Sequence, residues 1–314
     1  PRVYRVRRTR DSFRCKDVVE DWNMSDVHAK SDHEVFTSLH SLLSPLSFDS
    51  AVGLISSDGR LVAAYGDLDR VFPLASVSKL ISTYAALVAI DRGALALNDS
   101  AGEDTPEGCT VEHLLAHAAG YAFEGGKFLA EPGKRRMYTN AGIEQLGRVV
   151  AHAVDSSFDQ WVRESVTKPL GMQSVEVAGS PAKDYRASVE DLLVLGYEFM
   201  NPTLISADLA ESAHRVHFPG LSGVLPGYGR QNPNDWGLGA EIKSQKDPHW
   251  TGSLNSARTF GHFGQSGSFL WVDLEAAPGG LSAAFLSSKP FCEDHVRVWP
   301  SLNDVLIRAS RAQS

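Results

Sequence analysis

Cysteine is scarce in this sequence: Cys15, Cys109 and Cys292 are the three cysteines in 314 residues. They are odd in number and far apart, so they match neither a disulfide framework nor a metal-binding cluster, and we interpret all three as reduced thiols. No other pattern suggests a metal or a cofactor. Reduced thiols favour a cytoplasmic location. The sequence begins at Pro1 without an apolar signal core, and a processed or exported form is the alternative.

Long apolar runs and an excess of positive charge are also missing. No uninterrupted apolar stretch approaches the roughly 20 residues that cross a membrane, so no membrane span is predicted. The 30 Lys and Arg residues are outnumbered by 38 Asp and Glu residues, and the net charge of −8 argues against a nucleic-acid partner. Residues 1–10 differ because they carry five arginines. A site for an anionic partner and a charged edge strand are the two interpretations there, and we favour the edge strand.

The composition is that of a globular protein, with 43% apolar and 22% charged residues, and the length fits one large or two modest domains. Apolar periodicity and turn residues predict strands towards both ends of the chain and helices between them. The predicted strands are 51–55, 61–65, 236–242, 269–273 and 281–286. The predicted helices are 26–43, 80–90, 140–154, 158–166, 188–200, 207–216 and 301–312, and a further helix starts after Thr110 with His113 in its first turn.

This order of elements predicts an α+β fold, an α/β sandwich in which helices flank an antiparallel sheet. We expect a discontinuous sheet domain formed by residues 1–105 and 230–314, with an all-helical domain, residues 106–229, inserted into it. No strand pair is predicted between about residues 110 and 215. A cleft between the two domains is the expected binding site for a small-molecule or peptide substrate. The sequence does not indicate the oligomeric state.

Ser76 precedes the apolar helix 80–90, and Lys79 follows three residues later on the same helix face. A lysine that is desolvated beside a serine can lose its proton and act as a base toward the hydroxyl group. Further Ser-x-x-Lys matches occur at 165–168 and 180–183, but proline interrupts or ends those segments. On this stretch alone two interpretations stay open, a nucleophilic serine and a helix-capping serine with a solvated lysine.

Tyr138 and Asn140 form a Tyr-x-Asn pattern just before the next predicted helix. A tyrosine near Lys79 could relay a proton, because a neighbouring cation favours the phenolate. The amide of Asn140 could hold a substrate carbonyl or amide group. The alternative is that Tyr138 is a packed side chain and Asn140 caps the helix.

The stretch 261–268 is rich in glycine and serine and contains His262, Gly264 and Gln265 just before the predicted strand 269–273. Glycine there lets a ligand approach the backbone closely, and backbone N–H groups can stabilise an oxyanion. The alternative is a bulged strand or turn with a surface histidine.

Taken in order, Ser76-Val77-Ser78-Lys79, Tyr138-Thr139-Asn140 and His262-Phe263-Gly264 resemble the three motifs of the serine β-lactamase and penicillin-binding protein superfamily. The branch they resemble most contains the class C β-lactamases, the DD-peptidases and related carboxylesterases. Two accessory stretches, 113–120 and 168–172, also look like this family. The resemblance covers roughly residues 35–290.

The resemblance implies a serine hydrolase that forms an acyl-enzyme. Ser76 would attack the carbonyl carbon, and Lys79 and Tyr138 would share the work of the general base, with the principal base left open. Asn140 would orient the substrate, and the backbone N–H groups of Ser76 and Gln265 would bind the oxyanion.

One position departs from the β-lactamase pattern, because His262 stands where those enzymes have a lysine that helps to hold the substrate carboxylate. A histidine is mostly neutral at pH 7, so we expect His262 and Gly264 to line a site that binds carboxylates weakly. We therefore expect hydrolysis of esters or peptides, and weak turnover of β-lactams at best. His113 and His117 are expected to be structural.

Another function is compatible with the same motifs. The chain could be a catalytically idle, penicillin-binding-like protein that senses acylating ligands or peptidoglycan fragments. The intact serine, lysine and tyrosine set favours the enzyme.

Overall fold

The computed structural model of this protein describes residues 32–312. Residues 1–10, with their five arginines, and Cys15 lie outside the described residues, as do residues 26–31 of the first predicted helix. The strands are β1 Ser50–Ser56, β2 Leu61–Tyr65, β3 Phe72–Pro73, β4 Arg186–Ala187, β5 Gly223–Leu225, β6 Gly229–Gln231, β7 Glu241–Ile242, β8 Phe260–Gly264, β9 Ser268–Asp273 and β10 Leu281–Ser287. The α-helices are α1 Asp32–Leu43, α2 Ser78–Asp91, α3 Val111–Leu115, α4 Asn140–Val154, α5 Phe158–Val162, α6 Lys168–Leu170, α7 Val189–Met200, α8 Ala207–Ala213 and α9 Glu293–Ala312.

The central element is an antiparallel sheet with strand order β2-β1-β10-β9-β8-β7. Its strands come from the early part and the late part of the chain, and helices flank it. The predicted fold class, an antiparallel sheet between helices, is therefore confirmed. The division into domains 1–105 with 230–314 and 106–229 stays a prediction.

Both faces of the sheet are buried. Successive apolar residues along a strand belong to two separate hydrophobic clusters, one on each face. On β1, Val52 and Leu54 pack with α1 and α9, whereas Ala51 and Ile55 face the opposite cluster, which includes α2 and α7. Helix α7 lies very close to β10: a Cβ atom on Gly196 would lie 2.8 Å from the Cβ atom of Ser282. A sheet covered on both faces in this way forms the centre of a three-layer sandwich.

The segment between the two sets of sheet strands is mainly helical, but it also contains paired strands. Strand β4 pairs with β3, the short strand that directly precedes the Ser76 turn. Strand β4 was not predicted; it lies within 110–215, and its partner β3 lies before that range. A two-residue strand has too few residues to show the alternation by which strands are recognised, and its partner lies more than 100 residues away in the sequence.

Two predicted elements have different bounds in the structure. Helix α9 begins at Glu293 instead of residue 301 and contains Pro300 in its interior. Burial of Val298 and Trp299 against the sheet stabilises the turn before this proline, which alone would end a helix. The strand predicted at 236–242 is reduced to Glu241–Ile242, because Gly239 adopts φ +96° and turns the backbone. Within residues 32–312 no helix is long and apolar enough to span a membrane.

Candidate active site

Ser76 lies in a single 3₁₀ turn, Ala75–Val77, which leads directly into α2. The turn begins at Ala75 in the left-handed region, with φ +45°, an uncommon conformation for a residue with a side chain. The N-cap position of α2 is occupied by Val77, whose side chain makes no capping hydrogen bond. The alternative that Ser76 is a helix cap is therefore wrong, and its hydroxyl group is available for other contacts.

Lys79 is fully buried one turn later, and its ammonium nitrogen has three hydrogen-bonding neighbours. The Nζ atom lies 3.2 Å from Ser76 Oγ, 2.6 Å from Asn140 Oδ1 and 2.8 Å from the carbonyl oxygen of Ala182. Burial lowers the pKa of Lys79 to about 7, since taking the side chain out of water disfavours its charged form. A neutral amine keeps two N–H groups for Asn140 and Ala182, which leaves its lone pair to accept the proton of Ser76.

Tyr138 contacts the same hydroxyl group from the other side. Its OH group donates a hydrogen bond of 2.5 Å to Ser76 Oγ, and Lys79 Nζ lies 4.8 Å from the centre of the tyrosine ring. Burial raises the pKa of Tyr138 well above its ordinary value, and the hydrogen bond to Ser76 only partly offsets this. The expectation that a nearby cation would favour the phenolate is wrong, because desolvation is the larger effect.

Asn140 is the first residue of α4, and the capping residue is Thr139, whose side chain accepts a hydrogen bond of 3.3 Å from the Gly142 N–H group. The alternative that Asn140 caps this helix is therefore wrong. Its buried amide instead accepts a hydrogen bond from Lys79 and donates one of 2.7 Å to Glu124 Oε1.

His262 lies on β8, a strand that the sequence reasoning did not find, and it is 4% exposed. The alternative of a surface histidine on a turn is therefore wrong. Its Nδ1 atom donates a hydrogen bond of 2.6 Å to the Phe263 carbonyl oxygen, so the Nδ1 atom carries a proton. Burial, reinforced by the neighbouring Lys79, lowers the pKa of His262 to about 3. The ring is neutral at physiological pH, with an unprotonated Nε2 atom.

Gly264 ends β8 directly against the backbone of the Ser76 turn. A Cβ atom at this position would lie 2.4 Å from the Leu74 carbonyl oxygen and 3.2 Å from the Ser76 nitrogen. The next residue is Gln265, whose carbonyl oxygen accepts a hydrogen bond of 2.9 Å from the Phe291 N–H group. The absence of a side chain therefore serves the contact between two segments of the protein itself, which brings the backbone at Gln265 near that of Ser76.

Aromatic rings surround the side chain of Tyr138. The ring centres of His117, Phe123, Trp236 and His262 lie 5.0, 5.8, 5.8 and 5.5 Å from that of Tyr138. His117 is fully buried in this packing, and burial keeps its pKa well below the ordinary value. Trp236 and Phe123 were not predicted as neighbours of the site, because both lie outside regular helices and strands, in segments whose path depends on the folded chain.

His113 has the structural role expected from the sequence. Thr110 is the N-cap of α3, and the Nδ1 atom of His113 accepts a hydrogen bond of 3.2 Å from the Thr110 N–H group. The two other Ser-x-x-Lys matches lack the arrangement around Ser76, since Lys168 and Lys183 form exposed ion pairs with Glu164 and Glu124. Among the described residues, no group of three or more His, Cys, Asp or Glu side chains is placed to hold a metal ion.

Three contacts of the site were absent from the sequence reasoning. The Ala182 carbonyl oxygen and the Glu124 carboxylate both lie in loops, and buried Glu241 forms an isolated bridge with Trp236. A backbone carbonyl carries no residue-type signal, so no sequence pattern could have identified Ala182. Glu124 belongs to a short glycine-containing loop, and its acidic side chain was the one available sign.

Comparison with known proteins identifies the family. A family model described as "Beta-lactamase" matches residues 47–306, and a solved structure described as a β-lactamase from Mycobacterium bovis is 41% identical. That alignment covers 86% of this chain and 98% of the other, with a TM-score of 0.82. The chain belongs to the β-lactamase family, and members of this superfamily are serine hydrolases.

Among curated proteins, the chain is similar to the D-alanyl-D-alanine-carboxypeptidase/endopeptidase AmpH of Escherichia coli K12. The identity is 24% over 185 residues, which is 45% of this chain and 48% of AmpH. Penicillin-binding protein 4* of Bacillus subtilis is 23% identical over 49% of this chain and 41% of that protein. The chain thus spans about half the length of the curated relatives it matches.

Proposed function

We propose that this protein is a serine hydrolase that cleaves an ester or amide through an acyl-enzyme at Ser76. The observation that carries the proposal is that Lys79 Nζ and Tyr138 OH both hydrogen-bond to Ser76 Oγ, while burial brings the pKa of Lys79 to about 7. A nucleophile, a base of matched pKa and an orienting partner are the elements of nucleophilic catalysis.

The geometry supports Lys79 as the principal base. The neutral amine takes the Ser76 proton as Oγ attacks the substrate carbonyl carbon, and the resulting ammonium keeps Asn140 and Ala182 as acceptors. Tyr138 stays protonated, because burial raises its pKa, and its OH group donates toward the oxygen of Ser76. The hydroxyl group of Tyr138 then passes its proton to the leaving group. The Lys79 ammonium group returns a proton to Tyr138.

The remaining roles follow from position. The backbone N–H groups of Ser76 and Gln265 would bind the oxyanion, and Gly264 permits the close approach of these two segments. Asn140 would contact the substrate beside Lys79, and His262 would line the opposite wall. The site would lie between a sheet domain, 1–105 with 230–314, and a helical domain, 106–229.

The substrate class follows from the charge of His262. A neutral ring with an unprotonated Nε2 atom presents a lone pair, which does not attract a carboxylate. We therefore propose esters or peptides without a carboxylate at this position as substrates. An idle sensor of acylating ligands, the competing function, would show no turnover of these substrates.

Incubation with a p-nitrophenyl ester should give a transient acyl adduct, visible by intact mass and located at Ser76 by peptide mapping. The acylation rate should rise with pH and level off, with a midpoint near pH 7, because the reactive form contains the neutral Lys79 amine. An adduct at another residue, or no adduct at any pH between 5 and 9, would contradict the proposal.

Nitrocefin turnover should be slow compared with that of the ester. Since His262 stays uncharged down to about pH 3, the β-lactam carboxylate lacks a cationic partner there. His262→Lys restores a cation and should raise kcat/KM for nitrocefin by about tenfold or more, with little gain for a neutral ester. Efficient nitrocefin hydrolysis by the wild-type protein would rule out the proposed substrate class.

A further inference from the structure

We propose that Glu124 is a positioning residue: its carboxylate fixes the orientation of the Asn140 amide and, together with Lys183, sets the charge that surrounds Lys79. This inference deepens the proposed function and rests on it for its catalytic meaning. The arrangement itself is defined by contacts that do not depend on any substrate.

Glu124 lies at the tip of a small hairpin, which we call the 121–128 hairpin. Tyr121 and Phe128 form its antiparallel bridge, and the Ala122 N–H group donates a hydrogen bond of 2.7 Å to the Lys127 carbonyl oxygen. Gly125 and Gly126 both adopt positive φ, which closes the turn directly after Glu124. The tip is therefore a defined turn instead of an extended loop.

The hairpin forms hydrogen bonds with the segment that carries Tyr138 and Asn140. The Ala122 carbonyl oxygen accepts a hydrogen bond of 2.7 Å from Thr139 Oγ1, and the Phe123 carbonyl oxygen accepts one of 3.1 Å from the Asn140 N–H group. The Glu124 carboxylate accepts a third hydrogen bond, of 2.7 Å, from Asn140 Nδ2. The backbone of the hairpin tip thus holds Thr139 and Asn140, and the Glu124 side chain holds Asn140 as well.

The chemistry of these partners leaves Asn140 one orientation. A carboxylate accepts hydrogen bonds and a lysine donates them, so the amide nitrogen must face Glu124 and the amide oxygen must face Lys79. Without the carboxylate, the amide group could turn over and present its N–H groups to Lys79. Lys79 would then lose one of its three acceptors.

Glu124 also pairs with Lys183, and both residues are linked to Lys79 through its hydrogen-bonding partners Asn140 and Ala182. The Lys183 Nζ atom is 3.5 Å from Glu124 Oε1, and Lys183 directly follows Ala182, whose carbonyl oxygen binds Lys79. Burial is the main cause that lowers the pKa of Lys79; of the neighbouring charges, Glu124 raises it, Lys183 lowers it and Glu144 raises it. The other titratable groups around Lys79 are Tyr138, His117 and His262, which are uncharged near pH 7 because burial disfavours their charged forms.

Opposite shifts in two variants test the proposal. Glu124→Gln removes a negative charge, so the pH midpoint of ester acylation should move down by roughly 0.3–0.8 pH unit, whereas Lys183→Gln should move it up by a similar amount. Because both side chains are about half exposed, the shifts should shrink in 1 M salt. The double variant should return toward the wild-type midpoint.

The exposed pair Glu164–Lys168 supplies matched controls with the same charge changes. Glu164→Gln and Lys168→Gln should leave the midpoint unchanged. Equal shifts in the control variants, shifts of the same sign for Glu124→Gln and Lys183→Gln, or no shift in either would overturn the proposal.

A second measurement keeps this inference separate from the catalytic proposal. The ¹³Cε resonance of Lys79, assigned with Lys79→Met, reports its titration without any substrate. The same opposite shifts should appear in that resonance. Correct NMR shifts without acylation would contradict only the hydrolase function, and acylation without the NMR shifts would contradict only the role of Glu124.

Discussion

Lys79→Met should slow the acylation of Ser76 by roughly 10²- to 10⁴-fold, the range typical for loss of a general base. Methionine has a similar length and fills the buried space, but it has no lone pair that can accept the serine proton at neutral pH. Tyr138 cannot replace the base, because burial holds its pKa well above neutrality. The rate is best followed as the growth of the acyl-enzyme mass under single-turnover conditions.

Two further variants serve as controls for Lys79→Met. Ser76→Ala should show no adduct at all, which sets the background of the measurement. Tyr138→Phe retains Lys79, so its acylation should keep the midpoint near pH 7 at a reduced rate. If Lys79→Met acylated as fast as the wild type, Lys79 would not be the base.

Glu241→Gln should destabilise the protein by about 3–5 kcal/mol, because it leaves a buried cation without its counter-charge. Glu241 and Lys246 are both fully buried, with 3.2 Å between Oε1 and Nζ. His249 and Trp250 also hydrogen-bond to this carboxylate, at 3.2 and 2.8 Å. Urea unfolding at pH 7 measures the change.

An exposed pair and a double variant serve as controls. Glu275 pairs with Arg258 at 3.7 Å with both side chains half exposed, so Glu275→Gln should cost less than about 1 kcal/mol. Glu241→Gln combined with Lys246→Met should cost less than the two single changes added together, since both charges are then absent. Simple additivity would show that the pair does not act as a unit.

The Glu241 carboxylate also makes the stability of the folded protein depend on pH, in a defined direction. Burial alone raises the pKa of Glu241, but Lys246 and His249 outweigh it and bring the value to about 2 from 4.5. The ionised group therefore contributes stability above about pH 4.5 and loses that contribution as the pH falls through about 2. Stability in acid should fall less in Glu241→Gln than in the wild type over this window.

This network matters to the candidate site because of where it lies. Glu241 forms an isolated bridge with Trp236, and the Trp236 ring packs against both Tyr138 and His262. Destabilising β7 would loosen one wall around the tyrosine that contacts Ser76. We expect the effect of Glu241→Gln on stability to exceed its effect on acylation, since neither Ser76 nor Lys79 touches this cluster directly.

Much of the fold was predictable because it depends on local patterns. Helix α4 runs over 140–154 as predicted, and β1, β2, β9 and β10 lie within one or two residues of their predicted positions. The missed start of α9 and the missed strand β8 have a common cause. Pro300 and the glycines of β8 oppose helix and strand locally, and burial in the assembled sandwich outweighs that preference.

The sequence by itself determined the class of fold and the three motifs in order, because residue type and spacing carry that information. It also indicated that His262 would be neutral. Only the tertiary structure decided that Ser76 is not a helix cap, that Lys79 is buried with Asn140 and Ala182 as hydrogen-bond acceptors, and that Tyr138 is held protonated. These outcomes depend on desolvation and on contacts such as Ala182 and Glu124, which come from distant parts of the chain and exist only once it has folded.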